Sequence, residues 1–372
     1  MREPERPVLL IAGGGTGGHI QPALAIADAF VGRHPDAEVH FCGTAHGLES
    51  ELIPAAGYPF HPVRARGFPR RPSMDLFRAV ADHIAGKKAC ALLIRQFRPF
   101  AVVGTGGYVC GPLVAAAKRA GVPVLLHEQN AFPGRANRYL SHGAQTVCIS
   151  YEGTEKWFTG AQKVVLTGNP VRDLFFRTGR EEARAQLGLA ENDRMVFVIG
   201  GSLGAASLNA AILGWCAGGL PDGVRVVLMA GRKNVEAVRR EGAGLAGLDI
   251  RDYLQDAYLY MAAADLIVCR AGAITCAEIA ALGRPSVMVP YPFAAGDHQT
   301  CNALAFERNG AAVHVADRDF HPEAARKLLE SLLLDPDRLH RMGEAARALA
   351  RPDAAADIEG ELEIMLRESG HG

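Results

Sequence analysis

The apolar run Val8-Leu9-Leu10-Ile11-Ala12 empties directly into Gly13-Gly14-Gly15-Thr16-Gly17-Gly18-His19. The device returns where Met195-Val196-Phe197-Val198-Ile199 runs into Gly200-Gly201-Ser202-Leu203-Gly204-Ala205. A strand that ends in glycines and passes into a helix leaves few folds open. Glycine lets the backbone approach a ligand closely, and a helix start offers unpaired N–H groups with a partial positive charge. Each loop is therefore a seat for an anion such as a phosphate. Two seats, each opening its own half, predict an α/β chain of two nucleotide-binding-like domains that face each other across a cleft. Its 372 residues suffice for two domains of ordinary size.

Short β-rich runs alternate with helical ones, the pattern of parallel sheets flanked by helices. Strands are expected at 8–12, 39–42, 100–104, 122–127, 146–150 and 164–167 in the first half. In the second they are expected at 195–199, 224–229, 266–269, 286–290 and 313–315, the last at an edge. An internal echo accompanies them: Val102 to Gly107 and Ile267 to Gly272 both read as strand and Gly turn, each leading through a helix to a Pro-marked strand. The Asn169-Pro170 turn places the domain boundary at 170/171. The expected division is 1–170, 171–345 and a charged helical tail, 346–372, packing back on the first domain.

Forty basic residues balance forty acidic ones, which gives no ground for general nucleic-acid affinity. Eight cysteines without a C-x-x-C pair read as reduced, buried thiols, and structural zinc is not expected. The charged N-terminus has no apolar h-region, and no run reaches the roughly 18 apolar residues that span a bilayer. One stretch breaks the charge balance. Arg64, Arg66, Arg70, Arg71, Arg78, Lys87, Lys88, Arg95 and Arg98 stand against only Asp75 and Asp82, with Leu76, Phe77, Val80, Ile84, Ala91, Leu92 and Ile94 interleaved. This suits an anionic membrane surface or a helix packed on its own sheet with a solvated basic face.

Gly13-x-Gly15-x-x-Gly18 formally matches the dinucleotide fingerprint, but the end of the second strand holds Cys42-Gly43-Thr44 where a ribose-binding acid is wanted. NAD-linked oxidoreduction fails on that absence. His19, in the first turn of a helix, is either a neutral imidazole that takes a proton or a structural cap. His127-Glu128-Gln129-Asn130 closes a strand, where open α/β sheets bind ligands. Asn130 suits a sugar hydroxyl, and Glu128 suits a base or a partner for a histidine. In the second half, Thr275 and Glu278 have capping-box spacing, and the N–H groups around 273–275 suit a phosphate, with Glu278 in reach of a ribose diol. Gln299 and Asn302 suit sugar hydroxyls. Asp317-Arg318-Asp319 and Asp335-Pro336-Asp337 read as turn and cap chemistry rather than a metal site.

Together the strings GGGTGGHIQPALAIA, GTAHGLESELIPAAGY, GTGGYVCGP, LHEQNAFPGRANR, TGNPVR, GGSLGA, CRAGAITCAEIAALGRPSVMVPYP and DHQTCNA resemble the MurG-type N-acetylglucosaminyltransferase family of bacterial cell-wall synthesis, in order and over 8–349. The resemblance implies a GT-B architecture of two Rossmann-like domains. It implies inverting transfer of N-acetylglucosamine from UDP-GlcNAc to the C4 hydroxyl of the N-acetylmuramyl unit of lipid I, giving lipid II and UDP. By resemblance, Thr16, Gly17, Gly18 and Asn130 approach the sugar nucleotide from the first domain, and Arg172, Ser202 and Leu254 match donor-binding positions. Ala273, Ile274, Thr275, Cys276, Ala277 and Glu278 form the phosphate and ribose loop, and Gln299 contacts the sugar. Gln255-Asp256 and Thr300 depart from the family pattern. His19 is the first candidate for general base and Glu128 the second. No cofactor or metal is expected; the expected partners are UDP-GlcNAc, lipid I and an anionic membrane surface, at the cytoplasmic face of the cell membrane. A UDP-GlcNAc 2-epimerase-like enzyme and a non-catalytic sugar-nucleotide sensor are the alternatives.

Overall fold

Residues 6–67, 69, 74–201 and 204–369 are described by the computed structural model, in which the chain forms two compact units. One runs to Arg172 and is re-entered at Arg351; the other is Asp173–Ala350.

The first unit carries β1 (Val8–Gly13), α1 (Gly17–Arg33), β2 (Glu38–Gly43), α2 (Glu49–Ala55), β3 (Phe60–Pro62), α3 (Met74–Phe97) and β4 (Ala101–Gly106). It continues with α4 (Cys110–Ala120), β5 (Val124–Glu128), α5 (Arg135–Leu140), β6 (Thr146–Ile149) and β7 (Lys163–Leu166). The second holds α6 (Leu174–Arg177), α7 (Arg180–Gln186), β8 (Arg194–Ile199), α8 (Ala206–Ala217), β9 (Val224–Met229), α9 (Val235–Glu241), β10 (Leu248–Arg251) and α10 (Ala257–Ala263). After these come β11 (Leu266–Cys269), α11 (Ala273–Leu282), β12 (Ser286–Met288), α12 (His298–Arg308), β13 (Ala312–His314), α13 (Pro322–Leu333) and α14 (Pro336–Ala348). The last helix, α15 (Ala354–Glu368), belongs to the first unit.

Both sheets are parallel. Their orders are β3-β2-β1-β4-β5-β6-β7 and β10-β9-β8-β11-β12-β13. Each contains the 3-2-1-4-5-6 order of a Rossmann unit, and β7 extends the first. Strands buried on both faces must be apolar throughout, which is why the uninterrupted runs VLLIAG and MVFVI are central strands. The strands expected from such runs are present to within two residues at either end. Two were not expected, β3 and β10. Both are short edge strands in the same place of each sheet, and their half-exposed Phe60, His61 and Asp249 and exposed Arg251 form no apolar run.

Each unit has its own core. In the first, Leu10, Val102, Val124 and Val147 meet Cys90, Ile94, Leu113 and Phe158. In the second, Val196, Val226, Leu266 and Val287 pack on Leu208, Trp215, Leu329 and Met342. Helix α15 lies against α1, burying Ile358, Leu362, Met365 and Leu366. His34 Nε2 meets Glu363 Oε2 at 2.9 Å, Arg33 Nε stands 3.4 Å from Glu359 Oε1, and Lys163 Nζ meets Glu361 Oε1 at 2.7 Å, so this seam is charged at its rim.

Candidate functional site

Strand order reverses between β1 and β4 in one unit and between β8 and β11 in the other, and open α/β sheets bind ligands beyond the carboxyl ends of strands at such a point. The glycines that directly follow β1 and β8 lie there.

In the first unit the loop after β1 and the turn after β4 are built to fit each other. A Cβ on Gly13 would sit 2.1 Å from Thr105 Oγ1, and one on Gly106, whose φ is +113°, would sit 2.7 Å from His19 Nδ1. The His19 ring therefore lies against bare backbone that only glycine supplies. Thr105 Oγ1 donates to the His19 carbonyl at 2.7 Å, which pins the first turn of α1. His19 Nδ1 lies 3.1 Å from the Thr105 carbonyl and 3.2 Å from Gln129 Oε1. A carbonyl oxygen only accepts, so Nδ1 carries the proton and Nε2 is the basic atom. Burial is the largest influence on the ring and lowers its pKa, while the Glu128 carboxylate and the Gln129 and Thr105 hydrogen bonds pull it back up.

Glu128, 2% exposed, is fully engaged. Its Oε1 accepts from Asn130 N and Nδ2 at 3.0 and 3.1 Å, and its Oε2 from Gly134 N and Asn137 Nδ2 at 3.1 and 2.9 Å. Four donors leave this carboxylate the job of shaping the 129–134 loop and orienting Asn130. Of the roles open to it in sequence, taking the acceptor's proton has no room here.

Thr16 stands at the cap position of α1 with extended backbone, and Gly17 and Gly18 form the first turn, which contains no acidic side chain. Arg172 Nε meets Asp28 Oδ2 on α1 at 2.7 Å, and Tyr58 donates to the other oxygen at 2.7 Å. Sequence reasoning missed Glu49. It is completely buried and accepts from Gly15 N at 3.0 Å, Thr44 N at 3.0 Å and Thr44 Oγ1 at 2.6 Å. An acid does reach the end of β2 after all, from the first residue of α2, but the protein's own loop consumes it. The absence on which the NAD reading was rejected is thus corrected: the carboxylate is present and already spent.

In the second unit α11 starts at Ala273, with Gly272 as the cap and Cys276 N donating to the Gly272 carbonyl at 2.9 Å. Thr275 is therefore inside the first turn, and the capping box read from Thr275 and Glu278 does not form. The reason is Gly272, whose extended backbone starts the helix earlier. The opening turn holds buried Ala273, Ile274 and Cys276 with partly exposed Thr275, Ala277 and Glu278. Burial pushes the Glu278 carboxyl up to about 8. Gln299, on the first turn of α12, accepts from Tyr291 N at 2.9 Å through Oε1, which turns its NH₂ to other partners. Asn302 is a correction: it is 2% exposed and its Nδ2 holds the Ala271 carbonyl at 3.0 Å, a structural tie before α11. Leu254 lies half-buried between β10 and α10. Ser202 lies outside the described residues, as do Arg70 and Arg71.

Asp317 is also more than turn chemistry. Its Oδ1 accepts from Arg270 Nη1 at 2.6 Å and Ser207 Oγ at 2.7 Å, while Arg270 reaches the Val289 and Pro290 carbonyls at 3.0 and 3.1 Å. This half-buried clasp ties the ends of β11 and β12 to the start of α8. Its signal in sequence was the charge of Arg270 at a strand end, with nothing to say which acid would answer it.

Residues 9–149 match the glycosyltransferase family 28 N-terminal domain, and 195–358 its C-terminal domain. A relative from Desulforudis audaxviator, named UDP-N-acetylglucosamine–N-acetylmuramyl-(pentapeptide) pyrophosphoryl-undecaprenol N-acetylglucosamine transferase, is 41% identical, with 98% of this chain and 99% of that one covered. The crystal structure of Acinetobacter baumannii MurG is similar with a TM-score of 0.69 at 31% identity, covering 96% of this chain and 99% of that one. A UDP-GlcNAc 2-epimerase from Neisseria meningitidis, bound to UDP-GlcNAc, has a TM-score of 0.67 over 96% of this chain and 99% of that one. At 15% identity it shares the fold alone. With both domain models matched and such identity over nearly the whole length, the chain belongs to glycosyltransferase family 28, in its MurG-type branch.

Proposed function

We propose that this protein transfers N-acetylglucosamine from UDP-GlcNAc to the C4 hydroxyl of the N-acetylmuramyl unit of lipid I, giving lipid II and UDP with inversion at the anomeric carbon. The observation that carries the chemistry is His19: a ring whose Nδ1 proton is already bound and whose Nε2 is left basic. Nε2 takes the hydroxyl proton as the acceptor oxygen bonds to C1, the bond from C1 to the UDP oxygen breaks, and the electron pair leaves with the diphosphate. A base in reach is worth about 10²–10⁴-fold. On the second unit, the opening N–H groups of α11 meet the growing diphosphate charge as pre-placed dipoles, and loss of one such donor costs on the order of 3 kcal/mol. Glu278 accepts from the ribose diol, and Gln299 offers its NH₂ to the sugar. Asn130, turned by Glu128, keeps its Oδ1 for a sugar hydroxyl.

The lipid-borne acceptor calls for a membrane surface. Among the described residues no helix is long and apolar enough to cross a bilayer. Helix α3 buries Ala79, Gly86, Cys90 and Ile94 but exposes Met74, Phe77, Val80, Ile84 and Leu92 beside Arg78, Lys87, Lys88 and Arg95. One face of the helix packs inward, and the other presents apolar and basic residues together. The outer face suits peripheral attachment to an anionic leaflet, at the cytoplasmic side of the cell membrane.

The test supplies labelled UDP-GlcNAc with and without a lipid I analogue. UDP release that requires acceptor supports transfer. An epimerised sugar nucleotide formed without acceptor would establish the epimerase instead, and binding without turnover the sensor. His19→Ala should lower kcat by at least about 10²-fold; a loss of only a few-fold would remove His19 as the base.

A further inference from the structure

We infer that Gln129 is a positioning residue for the transfer: its amide holds the His19 ring by Nδ1 and anchors it to a neutral hydrogen-bond chain, so that Nε2 alone meets the acceptor. The inference rests on the assignment of His19 as base.

The proton positions in this chain follow from acceptors that cannot donate. Thr105 O lies 3.1 Å from His19 Nδ1 and 2.6 Å from the Gln129 Nε2, so both nitrogens carry hydrogen toward it. With its NH₂ so fixed, Gln129 turns Oε1 to His19 Nδ1 at 3.2 Å. The same Nε2 lies 2.9 Å from His127 Nδ1, which therefore accepts. His127 Nε2 must then carry the proton, and it meets the Gly168 carbonyl at 3.1 Å. Each member has one consistent orientation, and reversing the amide would set an oxygen against Thr105 O. The chain sits deep: Thr105 and His127 are fully buried, Gln129 is 2% exposed, and the Gln129 carbonyl is tied to Asn169 Nδ2 at 3.1 Å.

A serine-protease-type triad holds its histidine with a carboxylate, which favours the imidazolium strongly. Here the holder is a neutral amide, and the next member, His127, stays uncharged because burial brings its pKa to about 4. The other titratable groups around His19 are few. Glu128 on β5 acts on it through space, Glu49 on α2 is bound beneath Gly15, and the Cys110 thiol on α4, against Gly106 N, is pushed up to about 12 and neutral. The oxygen of Gln129 is thus, with Thr105 O, the direct acceptor that steadies the ring when Nε2 takes a proton.

The experiment uses the full-length protein with Gln129→Met and Gln129→Glu. Folding is followed by thermal melting and by UDP binding, and His19 ring nitrogens by ¹⁵N spectra of histidine-labelled protein, assigned against His19→Ala. The expected result for Gln129→Met is a lower acid-limb pKa in the kcat profile and a kcat fall of roughly 10–100-fold, with both KM values within about twofold and the Nδ1–H tautomer kept by Thr105 O. Gln129→Glu keeps an acceptor at Nδ1 while setting its other oxygen against Thr105 O, so it moves the acid limb upward at a cost in melting temperature. An unchanged acid limb and an unchanged His19 ring titration in a folded Gln129→Met variant would overturn the inference and leave the transferase reading intact. Should the wild type fail to transfer, that reading falls by itself, because the ring spectra still report on Gln129.

Discussion

At the scale of single residues, Glu278 carries a carboxyl held at about 8. Burial keeps Glu278 protonated well above its ordinary 4.5. A raised carboxyl pKa gives stability that is complete below the unfolded value and lost as pH climbs from about 4.5 toward 8. Glu278→Gln should flatten the melting-temperature profile across that window, and a wild-type profile already flat there would refute the argument. Ribose hydroxyls favour the ionised form, so UDP binding should release a proton and tighten from pH 6 to 8, as titration calorimetry in buffers of different ionisation heat would show. Glu49 makes the opposite case, a carboxylate whose donors are all inside the protein. Glu49→Gln sets an NH₂ against Gly15 N or Thr44 N and should cost about 1–3 kcal/mol in denaturant unfolding, with lower kcat/KM for transfer. No local pattern announced Glu49, because its partners lie 34 and 5 residues away and meet it only when β1 and β2 pair. His19 and Glu128 were visible as chemistry at strand and helix ends, but their division of labour depends on donor counts that a sequence does not display.

At the scale of elements, periodicity told more about the centre of each sheet than about its edges. Central strands must be apolar on both faces and so declare themselves; β3 and β10 need only one neighbour and carry polar residues without cost. Helix starts were less legible still, since Gly272 rather than Thr275 begins α11. Helix α3 shows why an amphipathic pattern alone is ambiguous. Its small inward residues, Ala79 and Gly86, let it press close, so that a Cβ on Gly86 would sit 2.0 Å from the Arg64 carbonyl, while larger Phe77 and Ile84 are left outside. Phe77→Glu with Ile84→Glu should weaken sedimentation with anionic vesicles by tenfold or more, each lost apolar contact being worth about 1.5–3 kcal/mol when fully buried. Turnover of a water-soluble acceptor should be unaffected, and equal loss on both acceptors would argue against a surface role.

Across the whole molecule the chain leaves its first unit at Arg172 and comes back at Arg351. Leu362 is fully buried where α15 meets α1. Leu362→Ala should destabilise the first unit by about 2–5 kcal/mol, read as a clear drop in melting temperature, with UDP affinity of the second unit kept. A change below about 0.5 kcal/mol would mean that α15 is not part of that core. The sequence by itself determined two parallel sheets, each with a glycine loop after its first strand, because buried strands and close backbone approach restrict residue type at every position. It also carried the family, through strings spread over nearly the entire length. Only the tertiary structure decided which nitrogen of His19 is basic, that Glu128 and Glu49 are occupied within the protein, and which acid answers Arg270. Those are matters of hydrogen-bond partners distant in the chain, and hydrogen bonds are assigned by distance and donor count in space, where order along the backbone has no say.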